Sequence, residues 1–334
     1  MTAPLLSLPA PLRPGDRVQL VAASSAVETP ERLQAGLAVL ASWGLHGEQD
    51  GSALARRHWG YLAGSDQQRL QDLVPAIGAD GGDGEEPALL ACVRGGWGAA
   101  RLLEHRPRAV GRWLLGFSDV TSLLFDRVRQ GRSGAIHGPM LTTLAAEPDW
   151  SRERLRALLF GEPVAPLAGE AWRGGTAQGP LLVANLTVAT HLLGTPHLPD
   201  LQGAILVLED VGEAPYRLER MLTHWRLCGA LQQLAGIGFG QFSACEDSAC
   251  DDSACEDSDR DGSEADDSSL AAPGDGSSAV RRFSVEQVLR ERTADLGIPV
   301  LGQLPVGHVS GNAALPLGVA ARLDGDRGRL SLLA

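Results

Sequence analysis

The chain has 334 residues, 44% of them hydrophobic, and a formal net charge of −12; that length suits two domains with sizeable cores. Eleven acidic residues stand against one cation, Arg260, between Glu246 and Asp267, so nearly all the excess charge is local and the remainder is close to neutral. All 29 basic residues are arginine, no basic stripe offers a grip on nucleic acid, no apolar run approaches the roughly 20 residues that span a bilayer, and five cysteines do not form a disulfide framework.

The first sixteen residues lack a charged segment followed by a long apolar one, so a signal peptide is not supported and the expected location is the cytoplasm. From residue 16 the chain alternates strand-like and helix-like segments. DRVQLVAAS (16–24) reads as a strand and PERLQAGLAVLASWG (30–44) as an amphipathic helix stopped at Gly44. SDQQRLQDLVPAIGA (65–79) opens with a capping serine, ALLACVR (88–94) is a strand, WGAARLLEHR (97–106) a helix, RWLLGF (112–117) a strand, and a helix follows Ser118. Strands alternating with helices of this length predict a parallel sheet covered on both faces, an α/β domain over 1–150. In such sheets functional loops gather at the carboxyl ends of strands; three such ends fall at Ser24-Ser25, Arg94-Gly95-Gly96 and Ser118.

Residues 151–178 carry Pro- and Gly-rich stretches and read as an inter-domain connection enclosing a helix at about 151–160. Residues 179–334 mix a helix at NLTVATHLLG, the strand GAILVLED (203–210), the helix YRLERMLTHWRL (216–227), strands at GIGFGQF and GIPVLGQLP, and a terminal hairpin about Asp-Gly-Asp-Arg-Gly. This predicts a second, more β-rich domain. Within it SACEDSACDDSACEDS (243–258) repeats every five residues with almost no aliphatic side chains, so disorder is expected over roughly 244–280. DSDRDGSEADDS follows a calcium-loop pattern at Asp257, Asp259, Asp261 and Gly262, but has Ser268 where the bidentate glutamate belongs and no flanking helices.

Serine-based acyl transfer needs a nucleophile, a base, a carboxylate that holds the base's tautomer, and N–H donors for the oxyanion. Ser118 in GFSD stands at a strand-to-helix junction, where either a nucleophile or a capping serine fits. Val120 occupies the position of the second glycine in the G-x-S-x-G elbow. RGGWG (94–98) could present backbone N–H groups or merely begin a helix. His308 in LPVGHVSGN and His137 in AIHGPM read as accessible loop histidines; His191 and His224 fall on amphipathic helices. Glu209 and Asp210 end a strand, as candidate carboxylates or as caps for the next helix. No set of His, Cys and carboxylates has metal-ligand spacing, so no metal or cofactor is expected.

Taken together, RPGDRVQLVAAS, GYLAGSDQQRLQDL, ACVRGGWGAARLL, LLGFSDVTSLL, IHGPM, NLTVATHLLGTP, LVLEDVGEAPYRLERML and GIPVLGQLPVGH, in that order, resemble the LD-carboxypeptidase family of serine peptidases over nearly the whole chain outside the acidic insert. The resemblance implies a Ser-His-Glu triad of Ser118, His308 and Glu209, with oxyanion donors from the N–H of Gly96 (or Gly95) and of Asp119. It implies the nucleophile on an α/β domain and the other two on a β-rich one, a homodimer, and a small muropeptide substrate that loses its terminal D-alanine in cell-wall recycling. The alternative within the family is a microcin C immunity-type protease cleaving an aminoacyl-nucleotide amide. That branch carries a longer, aromatic-bearing loop between nucleophile and glutamate, and the compact stretch from Ser118 to Glu209 has none. Two departures stand out: Val183-Ala184 before Asn185 where the family has Gly-Gly, and Ala23-Ser24-Ser25 for a Ser-Pro-Ser type motif.

Overall fold

The computed structural model describes residues 4–47, 51–74, 86–108, 110–246 and 283–333. Most of the acidic insert, including the repeat after Glu246 and the calcium-like pattern, lies outside the described residues.

The first half builds β1 (Arg17–Val21), α1 (Pro30–Ser42), β2 (His46–Gly47), α2 (Gly51–Ala55), α3 (Asp66–Leu73), β3 (Leu89–Cys92), α4 (Ala99–Leu102), β4 (Trp113–Gly116), α5 (Thr121–Arg129) and β5 (Ala135–His137). Pro30 supplies the first turn of α1, where its missing N–H is harmless. Ser65 and Gln68 cap α3 reciprocally, each side chain taking the other's backbone N–H. The helix expected over 97–106 is shorter: after α4 the chain tightens into a 3-10 turn at Leu103–His105, and Arg106, which precedes Pro107, has φ 47°.

Strands β2-β1-β3-β4-β5 lie side by side and parallel, so the chain reverses its direction of travel across the sheet between β1 and β3. The uninterrupted apolar runs of β3 and β4 are buried on both faces. Alternate side chains separate cleanly: Leu89, Ala91, Trp113 and Leu115 enter one core with Leu33 and Leu40 of α1. Leu90, Cys92 and Leu114 enter the other, which continues without a break into the second sheet.

After α6 (Leu141–Leu144) and α7 (Asp149–Leu159) the chain forms β6 (Leu167–Ala168), β7 (Glu170–Arg173), β8 (Thr176–Asn185), α8 (Leu186–Leu192), β9 (Ile205–Val211), α9 (Pro215–Leu227), β10 (Gly236–Ser243), α10 (Val285–Thr293), β11 (Val300–Gly302), β12 (Leu315–Pro316), β13 (Ala320–Asp324) and β14 (Arg329–Leu332). The second sheet runs β6-β14-β13-β8-β9-β10-β11-β7. Its centre, β8 to β11, is parallel with helices between successive strands, and its flanks are antiparallel. The two edge strands, β6 and β7, are separated in sequence by Gly169 alone, so the sheet curls into a nearly closed barrel. The terminal hairpin forms as expected, from β13 and β14. One pairing joins the two halves: β12 leaves the barrel and adds antiparallel to β5, with Leu315 opposite His137.

Candidate functional site

Strand β4 ends at Gly116, Phe117 is extended, and Ser118 sits at φ 60°, a region that residues with a Cβ rarely occupy. A 3-10 turn over Ser118–Val120 then leads into α5. Neither Ser118 nor Asp119 caps α5. The strained turn instead pushes the Ser118 side chain out at the carboxyl end of the sheet.

There it meets the end of β3. A Cβ placed on Gly95 would lie 3.0 Å from Ser118 Cβ and 3.1 Å from its Oγ, so a larger residue there would crowd the serine. Gly96 follows at φ 110°, and the Trp97 N–H donates to Ser25 Oγ at 3.1 Å. The Asp119 carboxylate accepts the Ala99 N–H at 2.8 Å. Its side chain therefore caps α4 and ties the glycine loop to the serine turn, rather than capping the helix that follows it. Burial pushes that carboxyl up from its ordinary value.

Glu209 and His308 come from the barrel. Glu209 lies in β9 and is fully buried; its Oε2 is 2.7 Å from His308 Nδ1, and His308 Nε2 is 3.0 Å from Ser118 Oγ. The carboxylate fixes the tautomer: Nδ1–H donates to Glu209, leaving Nε2 to accept the serine proton. Burial alone would depress the His308 imidazolium, but the bonded carboxylate outweighs it and holds the pKa above the ordinary histidine value. Burial raises the Glu209 carboxyl, opposed by the same bond.

The pleat separates the two strand-end acids. Asp210 faces away from His308 and accepts from Asn185 Nδ2 and from the N–H and hydroxyl of Thr187, steadying the start of α8. Neither acid caps α9, whose N-cap is Ala214. The His308 loop is clamped from several sides. Gly307 N–H donates to Asn312 Oδ1, Ser243 Oγ donates to the His308 carbonyl, and the Gly311 and Asn312 N–H groups donate to Glu147 Oε2. Sequence reasoning missed Glu147, which lies at the end of a loop with no motif of its own.

His137 is not an accessible loop residue. It ends β5, fully buried, with its ring edge-on to Phe117 at 5.6 Å, and Phe117 in turn packs 4.8 Å from His308. His191 and His224 are exposed on their helices. Of the two departures, Val183-Ala184 is buried inside β8, whereas Ser25 shapes the glycine loop directly. Among the described residues no three His, Cys, Asp or Glu side chains stand together as a metal cluster, and no helix is long and apolar enough to cross a membrane.

Ser118 and His308 open onto a cleft of about 420 Å³ whose walls include Gly95, Gly96, Phe117, Met140 and Thr142. The arrangement can activate a hydroxyl and return a proton to a leaving group beside a glycine-rich backbone.

Residues 18–138 match the model of the LD-carboxypeptidase N-terminal domain and residues 178–323 that of the LD-carboxypeptidase C-terminal domain. A chain of Synechocystis sp. that carries a carboxypeptidase name is 45% identical over 97% of each chain. The murein tetrapeptide carboxypeptidase of Pseudomonas aeruginosa is 34% identical over 93% of this chain and 94% of its own. Among solved structures, the muramoyltetrapeptide carboxypeptidase from Oxalobacter formigenes superposes with a TM-score of 0.72 at 23% identity, covering 95% of this chain and 97% of that one. The microcin C7 self-immunity protein MccF does so with 0.75 at 20%, covering 98% and 99%. These two likenesses are of fold.

Proposed function

The chain belongs to the LD-carboxypeptidase family of serine peptidases, and on that footing we propose that it releases the terminal D-alanine from a muropeptide tetrapeptide, with Ser118, His308 and Glu209 as its catalytic residues. The observation that carries the reading is the unbroken line from Ser118 Oγ through the His308 ring to Glu209 Oε2, at 3.0 and 2.7 Å, on the cleft. Sequence relatives named for murein peptides, at 31% and 34% identity over most of the chain, support the substrate class.

The Ser118 hydroxyl attacks the carbonyl of the bond joining the L-centre of the diamino acid to D-alanine, and its proton passes to His308 Nε2. The carbonyl oxygen takes up negative charge against the N–H groups of Gly96 and Asp119, donors of a kind whose individual loss lowers the rate about 100- to 1,000-fold. His308 then protonates the departing amine as the C–N bond breaks, leaving an acyl ester on Ser118. Water, deprotonated by His308, attacks that ester and frees the serine. Glu209 orients the ring and offsets the charge on its cationic form.

The test is D-alanine release from purified tetrapeptide by the wild type and by Ser118→Ala. Release by the wild type and its loss in the variant are expected; equal release by both would remove Ser118 from the mechanism. An aminoacyl sulfamoyl adenosine in the same assay, hydrolysed in preference to the tetrapeptide, would replace the muropeptide by an aminoacyl nucleotide.

A further inference from the structure

A peptidase that removes a single terminal residue needs to recognise the free carboxylate beyond the scissile bond. Only the bonds through nitrogen and Cα separate that carboxylate carbon from the reacting carbonyl carbon, so the two lie about 4 Å apart. The recognising cation must therefore stand close to Ser118, on the leaving-group side of the cleft.

Two cations line the cleft with Ser118 and His308: Arg94 and Arg32. Arg94 immediately precedes Gly95, the glycine whose backbone abuts Ser118. Its guanidinium is fixed at one nitrogen only. Nη1 donates to the Ala26 carbonyl at 2.8 Å and to Glu28 Oε1 at 2.9 Å. Both bonds use Nη1, so the Nε–Nη2 edge, whose paired N–H groups match the two oxygens of a carboxylate, carries no bond among the described residues. The residue is half-buried, with 28% of its side chain exposed, which leaves it oriented yet accessible. Arg32, near the start of α1, is exposed and forms no ion pair among the described residues. Glu28 is the acidic side chain on the same wall, and at 80% exposed it neutralises Arg94 only weakly.

We infer that Arg94, through its Nε–Nη2 edge and with Arg32 adding positive charge beside it, binds the C-terminal carboxylate of the peptide and so makes this site a carboxypeptidase. The inference rests on the proposed peptidase reading, but its test separates the two. In the Ser118→Ala background, where turnover falls to its small residual rate, binding of the tetrapeptide and of its C-terminal carboxamide is measured by calorimetry. The carboxylate form should bind about 10- to 100-fold more tightly, the range of a charge-assisted pair. Adding Arg94→Gln should abolish that preference, weakening carboxylate binding far more than carboxamide binding, whose neutral oxygen gains much less from a cation; Arg94→Lys, which keeps the charge but not the fork, should retain part of the preference. Retained carboxamide binding also shows that the variant site is folded. Equal binding of the two peptides before Arg94 is changed, or an undiminished preference after Arg94→Gln, would overturn the assignment. Failure of the wild type to release D-alanine would overturn the functional reading while leaving this binding difference to stand.

Discussion

His308 Nε2 lies 3.0 Å from Ser118 Oγ although 190 residues separate them, Ser118 following β4 of one sheet and His308 following β11 of the other. The contact is held from behind by the Glu209 carboxylate at 2.7 Å. If the three act as one unit, their losses do not add. Ser118→Ala, His308→Ala and the double variant should show nearly the same residual rate of D-alanine release. A double variant slowed, relative to the wild type, by the product of the two single effects would mean independent roles.

Glu209→Gln separates tautomer from packing, because the amide fills the same buried space. A fall in kcat of about 10,000-fold is expected, as for other triads that lose their carboxylate. The pH profile adds an independent sign. Neutral His308 is the base, so the acid limb of kcat/KM follows its pKa, which Glu209 holds above the ordinary histidine value. Without that carboxylate the acid limb should move to lower pH. A limb that stays in place would mean that the profile reports some other group.

Gly307 adjoins His308 at φ 122°, and a Cβ there would lie 2.7 Å from Glu209 Oε2. Gly307→Ala therefore meets two obstacles: a backbone angle that alanine resists and the carboxylate itself. A loss of stability of about 1–3 kcal/mol is expected, with a fall in rate as Glu209 is displaced. Gly297→Ala is the control, because Gly297 has φ 73° with open space around its Cβ position. Urea midpoints and initial rates of the two variants should diverge in rate more than in stability.

The parallel sheet was legible because uninterrupted apolar runs such as Leu89–Cys92 and Trp113–Gly116 separated by helix-length segments admit few other arrangements. Ser118, Glu209 and His308 were legible only as members of a family pattern, since each alone reads equally well as a cap or a turn residue. What stayed hidden depends on tertiary context. A histidine between Ile136 and Gly138 looks the same on a loop as on a buried strand end, and here the pairing of β12 with β5 buries it. Asp119 could cap the helix after it or the helix before it; φ 60° at Ser118 turns the chain so that Ala99 receives it. The grip of Glu147 on the 311–312 backbone spans more than 160 residues and has no local signature.

That bond from Asp119 to the Ala99 N–H can be tested apart from chemistry. Asp119→Ala leaves a buried amide without its acceptor, for a loss of about 1–3 kcal/mol, and frees the glycine loop from the serine turn. Asp119→Asn keeps an acceptor oxygen. Thermal unfolding should rank wild type above Asp119→Asn above Asp119→Ala, and labelling of Ser118 by a serine-directed phosphonate should fall in the same order. Phosphonate labelling unaffected by Asp119→Ala would show that the loop holds its place without the cap.

His137 gives the structure an acid-sensitive point. Burial and the neighbouring His308 depress its pKa to about 3, against about 6.5 in the unfolded chain. Between those values the unfolded chain binds a proton that the folded protein excludes, so stability falls as pH drops, by up to about 1.4 kcal/mol per pH unit. At pH 5 this one residue accounts for about 2 kcal/mol. The raised pKa values of His308 and Glu209 act in the opposite direction, favouring the folded state as pH falls, so the total slope is a balance and the informative quantity is a difference between variants. His137→Leu has no proton to exclude. Urea unfolding at pH 7 and pH 5 should show the wild type losing about 2 kcal/mol more than His137→Leu over that interval; equal losses would mean that His137 is protonated within the fold.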